Sequence, residues 1–470
     1  MKLFTTVVVF GMAFGTLAAQ DMRKVSEPEL PKSICSVLTA HLVPQDGIAP
    51  ADEMRPDTER IQKALDDCGQ GRAVELTRDG AKTAFLTGPI NMKKGVTLLV
   101  AKGVTLYGSR DPHVYDVHPG TCGIVNDAKK QGCKPLINVK RASNSAIMGE
   151  GTIDGRGGAK LLTAFRESSV TWWDLAEGAR NSGHQQVPRL IQTDHTDNFT
   201  LYEITLKNSA NVHVAFHHGD GLTVWGIKID TPKNARNADG IDPSSSKNIL
   251  VTESYIRAGD DNVALKAGDG QTKNVSVIHN HFYWGHGMSI GSETNGGVSN
   301  VLVSDLSVDG ADNGLRIKSS ATKGGLVHEV LYNDVCVRKS KAPITLETSY
   351  PATGELPSKD PVYTGIVMKD VRISGGGKIQ LLGFDTTHRI GIQFDGVVLA
   401  DPNGKYKFMA NHTDLTLGPG PVNFQMVGED STLRGTMASQ TASAVTSCDA
   451  KFVPFPTPAT EAAPTESAAR

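Results

Sequence analysis

Aromatic residues are scarce in this 470-residue chain: Phe, Tyr and Trp together make 6% of it, and Trp occurs four times. Its core must therefore be built from aliphatic side chains. An excess of one charge is missing too. The formal net charge is −2 with 21% charged residues, so bulk electrostatics draws the chain neither to nucleic acid nor to an anionic membrane surface. Beyond the first residues no apolar run approaches the roughly 20 residues that a spanning helix needs. Cysteine is limited to six, and no CxxC or His/Cys spacing reads as a zinc site. No metal or other cofactor is expected. What the chain has in quantity is glycine, 49 residues, which marks many tight turns.

The opening "MKLFTTVVVFGMAFGTLAAQ" gives one lysine, an apolar run from Leu3 to Phe14, and small residues at Thr16, Ala18 and Ala19. That grammar predicts a signal peptide over 1–19 in preference to a buried N-terminal helix. It also implies secretion, to the extracellular or periplasmic space, where disulfides persist. The short loop "CGIVNDAKKQGC" makes Cys122–Cys133 the first expected pair and Cys35–Cys68 the second. The end of the chain, rich in Pro, Ala, Thr and Glu, predicts a disordered tail over 456–470. A body spanning 20–455 remains, long enough for two or three ordinary domains.

A repeat resolves that length into one unit. The stretches "NFTLYEITL", "GLTVWGIKI", "NILVTESYI", "NVSVIHNHF", "NVLVSDLSV" and "EVLYNDVCV" begin at Asn198, Gly221, Asn248, Asn274, Asn300 and Glu329. Their starts lie 23 to 29 residues apart, and each holds two short alternating runs followed by a turn and a third run. Such a period predicts a parallel β-helix, each coil stacked on the last about 4.8 Å away. Similar pieces, "GVTLLVAKGVTLYG" upstream and "VYTGIVMKDVRISGGG" downstream, extend it both ways. "DTERIQKALDDC" places Ile61, Ala64, Leu65 and Cys68 at helical spacing behind Asp57 as N-cap, a short helix capping the N-terminal end. Asn198 and Asn274 match the N-x-[ST] glycosylation pattern. With Asn248 and Asn300 in equivalent places, an asparagine ladder along the turns is the favoured reading.

The third runs carry the chemistry. In "GDDNVALK", "GHGMSIG" and "NGLRIK" the pairs Val263/Leu265, Met288/Ile290 and Leu315/Ile317 alternate inward, which throws Lys266, Arg316 and Lys318 outward. Asp239, Asp261 and His286 each sit two residues before their runs, with Asp260 one earlier still. Consecutive coils thus bring three carboxylates, an imidazole and two cations onto one face. That set suits glycoside hydrolysis, in which one protonated carboxyl serves the leaving oxygen while an ionised carboxylate activates water. Crowding raises the pKa of one carboxyl while its neighbours stay charged. The cations would hold an anionic sugar.

At these residues the chain resembles the polygalacturonases of glycoside hydrolase family 28, through "NADGIDP", "GDDNVALK", "GHGMSIGSE" and "GLRIKS". The likeness covers nearly the whole body and is nearest to secreted bacterial endo-acting members. It implies a right-handed, pectin-lyase-like parallel β-helix that cleaves α-1,4 bonds of polygalacturonic acid, in pectin and the cell wall, with inversion. It implies Asp260 as general acid, Asp239 and Asp261 as activators of water, and His286 as support for the acid's protonation. Arg316 and Lys318 would bind galacturonate carboxylates, and Tyr350 would line the leaving-group subsite. The implied enzyme is a monomer whose partner is the polysaccharide. Ala238 stands where the family usually has threonine, and the stretch beyond about Asp401 has no clear counterpart.

Other residues stay open. His213 fits a position near the cleft or a satisfied structural histidine; His217 and His218 read as loop residues. Lys266 can touch substrate or pair with the aspartates, and Trp172 and Trp173 suit packing better than sugar stacking. Cleavage at chain ends is the nearest alternative activity. A calcium-dependent pectate lyase and a non-catalytic glycan-binding solenoid are more distant ones.

Overall fold

The computed structural model describes residues 21–45, 47–128, 130–163, 166–181, 183–351, 359–436 and 447–457. The expected signal peptide lies outside them, as does the tail from 458 on. Two long sheets of 20 and 11 strands run as stacked parallel ladders, wound as a right-handed β-helix, the hand that parallel crossovers nearly always take.

The register of the repeat is the one its sequence implies. Phe199 pairs with Leu222, Leu222 with Ile249, Ile249 with Val275, Val275 with Val301 and Val301 with Val330. All six side chains are buried, each worth about 1.5–3 kcal/mol of transfer from water. One residue before each lies the turn. Asn198, Asn248, Asn274 and Asn300 hold φ between 52° and 58°, and Glu329 holds 55°. Asparagine tolerates that left-handed conformation and can bond along the stack. Asn300 Nδ2 donates to Asn274 Oδ1 at 2.8 Å, and Asn274 Nδ2 donates to Asn248 Oδ1 at 3.0 Å. The ladder therefore uses the side chains of the glycosylation pattern.

Helix α1 spans Thr58–Asp67 and buries Ile61 and Leu65. Asp57 occupies the N-cap position but does not cap with its side chain. Its carboxylate instead accepts from Arg60 Nε at 2.7 Å and Leu86 N at 2.9 Å, tying the helix entry to a strand. Helix α2, Trp172–Gly178, starts at a Thr171/Asp174 capping box. Trp172 is fully buried against Tyr115, and Trp173 donates to Ser209 O, so both act in packing.

Cys35–Cys68 and Cys122–Cys133 are disulfides, as is Cys336–Cys448. Strands Tyr406–Asn411, Thr413–Leu417 and Ser431–Arg434 continue the ladders, so the stretch past Asp401 supplies further coils. Residues 447–457 then double back over the sheet surface. Lys451 reaches Asp305 and Asp334, and the Arg257 guanidinium lies 4.0 Å from the Phe455 ring. Phe455, the last residue of the expected body, packs on this cation and on the Tyr283 ring.

Candidate active site

The 11-stranded sheet presents the third runs. Ile241 pairs with Val263, Val263 with Met288 and Met288 with Leu315, so Asp239, Asp261 and His286 stand in one column two residues ahead. The next outward position holds Asp242, Ala264, Ser289 and Arg316, and the one after holds Ser244, Lys266, Gly291 and Lys318.

Backbone geometry seats His286. Gly285 and Gly287 flank it at φ 120° and 69°. A Cβ on Gly285 would meet Asp260 O at 2.7 Å, and one on Gly287 would meet Gly314 O at 2.2 Å. With no side chain on either, His286 N can donate to Asp260 O at 2.9 Å. Its ring then brings Nδ1 to 2.7 Å from Asp260 Oδ1. Asp260 Oδ1 also accepts from the Asp261 amide at 3.0 Å, and Oδ2 accepts from Asn237 Nδ2 at 3.4 Å.

Asp261 is buried and held from two sides. Ser289 Oγ donates to Oδ1 at 2.7 Å and Lys318 Nζ donates to Oδ2 at 2.8 Å. Arg316 Nη1 stands 4.0 Å from Asp261 and Nη2 3.3 Å from Glu347 Oε1. Both cations lie beneath the Tyr350 ring, at 5.1 and 5.2 Å from its centre. They point outward from the core yet are themselves buried, because carboxylates and the tyrosine close over them. Asp239, also buried, has Lys266 Nζ at 3.7 Å, while Lys266 sits closer to Asp242 Oδ2, at 2.8 Å. Lys266 is thus a charge partner of the aspartates.

His213 lies behind the cleft, fully buried. Its Nδ1 donates to Asp239 O at 2.8 Å, and its Nε2 accepts from Thr231 Oγ1 at 2.7 Å. Burial pushes its pKa down to about 4, so it is a neutral structural brace for the Asp239 backbone. His217 ends strand Val214–His217 rather than lying in a loop, since its coil extends one pair further. His218 occupies the following turn, between Asp194 and Asp269.

The protons distribute unevenly. Burial, then the charges of Asp242 and Asp260, raise the Asp239 carboxyl well above its ordinary value. Burial pushes Asp260 the same way, but the hydrogen bond and charge of His286 outweigh it and hold Asp260 below the usual range. Reciprocally, burial pulls His286 down while its bond to Asp260 raises it above an ordinary imidazole. Crowding does raise one carboxyl, but in the free site that carboxyl is Asp239; the proton beside Asp260 resides on His286. Because the two atoms are 2.7 Å apart, transfer within the pair yields neutral Asp260 and neutral His286 at constant total charge.

Asp260, Asp261 and His286 could offer three ligand atoms within 4.8 Å of one another. The Lys318 ammonium at 2.8 Å from Asp261 disfavours a cation there. Asp194, His195 and His218 form a similar group, whose atoms are engaged with each other and with Asp269. Ser289 and Asn237, both bonded to the carboxylates, escaped sequence reading. Alternation across "MSI" places Ser289 outward, a signal already present; nothing local marks Asn237.

Comparison with known proteins accords with this geometry. The pattern of glycosyl hydrolases family 28 matches residues 68–416. An endo-polygalacturonase of Pectobacterium carotovorum subsp. carotovorum is 43% identical over 394 residues, covering 83% of this chain and 92% of that one. A polygalacturonase of Ralstonia solanacearum is 38% identical, with 94% of each chain covered. The solved polygalacturonase from Erwinia carotovora ssp. carotovora superposes with a TM-score of 0.77 at 41% identity, over 84% of this chain and 100% of that one.

Proposed function

Because the chain belongs to glycosyl hydrolases family 28, we propose that its cleft hydrolyses the α-1,4-galacturonosyl bonds of polygalacturonate at internal positions. The observation that carries this reading is the stack of Asp239, Asp260, Asp261 and His286 beside Arg316 and Lys318 on consecutive coils. Asp260 gives its proton to the leaving glycosidic oxygen and is reloaded across the 2.7 Å bond from His286. Asp261 and Asp239 orient the attacking water and Asp261 takes its proton, so the anomeric centre inverts. Arg316 and Lys318 bind a galacturonate carboxylate, and Tyr350 lines that subsite.

The enzyme acts as a monomer from one catalytic domain over 20–455. Export to an oxidising compartment is supported by three disulfides. No helix among the described residues is long and apolar enough to cross a membrane. Incubation with polygalacturonate should release reducing ends, with oligomers preceding monomer. Asp260→Asn should lower kcat by on the order of 10²–10⁴ with KM little changed. Monomer as the sole early product would instead indicate cleavage from chain ends. An ultraviolet-absorbing, chelator-sensitive product would point to elimination, and no product at all to a binding solenoid.

A further inference from the structure

The column that holds Asp239 continues toward the N-terminus. Strands Ile191–Asp194, Val214–His217 and Ile241–Ser244 pair in succession, so Arg189 occupies the position of Asp239 two coils earlier, about 10 Å away at one strand spacing per coil. Arg316 lies on the opposite side, three coils further on. Between Arg189 and Asp239 is a cavity of about 200 Å³ whose lining includes His217, Asn237, Asp242 and Lys266. It meets the acid through Asn237, which bonds Asp260.

The cations of this cavity are not equivalent. Lys266 is committed to Asp242 at 2.8 Å, and the other oxygen of Asp242, Oδ1, is buried without a hydrogen-bond partner. That carboxylate therefore depends on Lys266. Arg189 differs. Its side-chain hydrogen bond runs to neutral Gln192 Oε1 at 2.9 Å, and among the described residues no carboxylate lies within ion-pair distance of it. A partly buried guanidinium with five donors and one neutral acceptor retains capacity for an anion. His217 adds a neutral wall. Burial, then Arg189 and the cations around it, push its pKa down to about 3, so its ring stays uncharged and can bond a sugar hydroxyl.

We propose that Arg189 and His217 form a second uronate subsite, in which Arg189 binds the carboxylate of a galacturonate on the far side of the catalytic aspartates from Arg316 and Lys318. This rests on the hydrolase reading above for the identity of the sugar. Cations then bracket the reacting bond, and the chain is read by charge on both sides of it. Methyl esterification on either side weakens binding.

The test compares the parent, Arg189→Ala and Arg189→Lys on polygalacturonate and on highly methylated pectin, with thermal melts to verify folding. Arg189→Ala should lose about 10- to 150-fold in kcat/KM on polygalacturonate, the range of one charge-assisted hydrogen bond. The loss should lie mainly in KM and shrink to within about twofold on the methylated polymer, where the charge is gone. Arg189→Lys should recover part of it. A loss equal on both polymers, or a variant within twofold of the parent on polygalacturonate, overturns the proposal. Titrating trigalacturonate into Asp260→Asn with and without Arg189→Ala reads the subsite apart from turnover. At least tenfold weaker binding is expected, and equal affinity refutes the subsite even in a chain that hydrolyses nothing.

Discussion

Replacing His286 by Ala removes the partner that stores the acid's proton. The 2.7 Å bond to Asp260 Oδ1 holds Asp260 ionised and lifts His286 above the ordinary imidazole value. In the parent, the alkaline limb of the rate profile follows loss of the proton from this pair, above about pH 6.5. Without the imidazole, Asp260 must carry the proton alone, near the ordinary carboxylate value of about 3.9. The limb should then move down by about 2.6 units, less whatever burial adds to Asp260. At pH 4 about half of Asp260 would be protonated, but at pH 6 only about 1%, so the loss in kcat should grow from a few-fold to roughly 100-fold. The assay is reducing-sugar release at saturating polygalacturonate from pH 3.5 to 7.5 for both proteins. Parallel profiles, with a loss independent of pH, would show that His286 does not hold the catalytic proton.

Asp239→Asn should inactivate the enzyme yet raise its melting temperature at neutral pH. The folded-state pKa of Asp239 is raised, so its ionisation costs stability progressively as pH rises above the unfolded value of about 3.9. The gain should vanish near pH 3 in calorimetric melts, and a gain independent of pH would contradict this. Arg316→Ala and Lys318→Ala should each cost about 10- to 150-fold in kcat/KM on polygalacturonate and narrow the preference over methylated pectin. Unaltered discrimination would remove these cations from carboxylate reading. Cys336→Ser with Cys448→Ser opens a closure of 112 residues and should cost roughly 2–4 kcal/mol in denaturant titrations. Activity well below the midpoint should be preserved, because the bridge lies outside the cleft; matched loss of activity would show that the returning C-terminal segment supports the site.

Much of this molecule was readable in one dimension because a β-helix turns sequence period into height. Alternation by two decides which side chains leave the core, and left-handed asparagines mark where each coil restarts. Asp239, Asp261 and His286 therefore fall into one column by periodicity alone, although tens of residues separate them in the chain. Short-range disulfides were legible for a similar reason, their loops being closed by nearby elements. Cys336–Cys448 was not, since nothing local says that residues past the last coil turn back along the sheet.

The sequence by itself determined the coil register and the face on which the charges meet. The tertiary structure alone decided how those charges are shared. Lys318 and Lys266 are equivalent by alternation, yet one pairs with Asp261 and the other with Asp242. Asp239 is buried and Asp260 half-buried in one patch, yet one carboxyl is raised and the other lowered, because only Asp260 lies within hydrogen-bond reach of the imidazole. Arg189 carries no such mark in the sequence, since loops of unequal length hide that its coil stands two steps from Asp239. Periodicity reports direction and height; pairing depends on separations of an ångström between long side chains, and those are set by packing that no single coil contains.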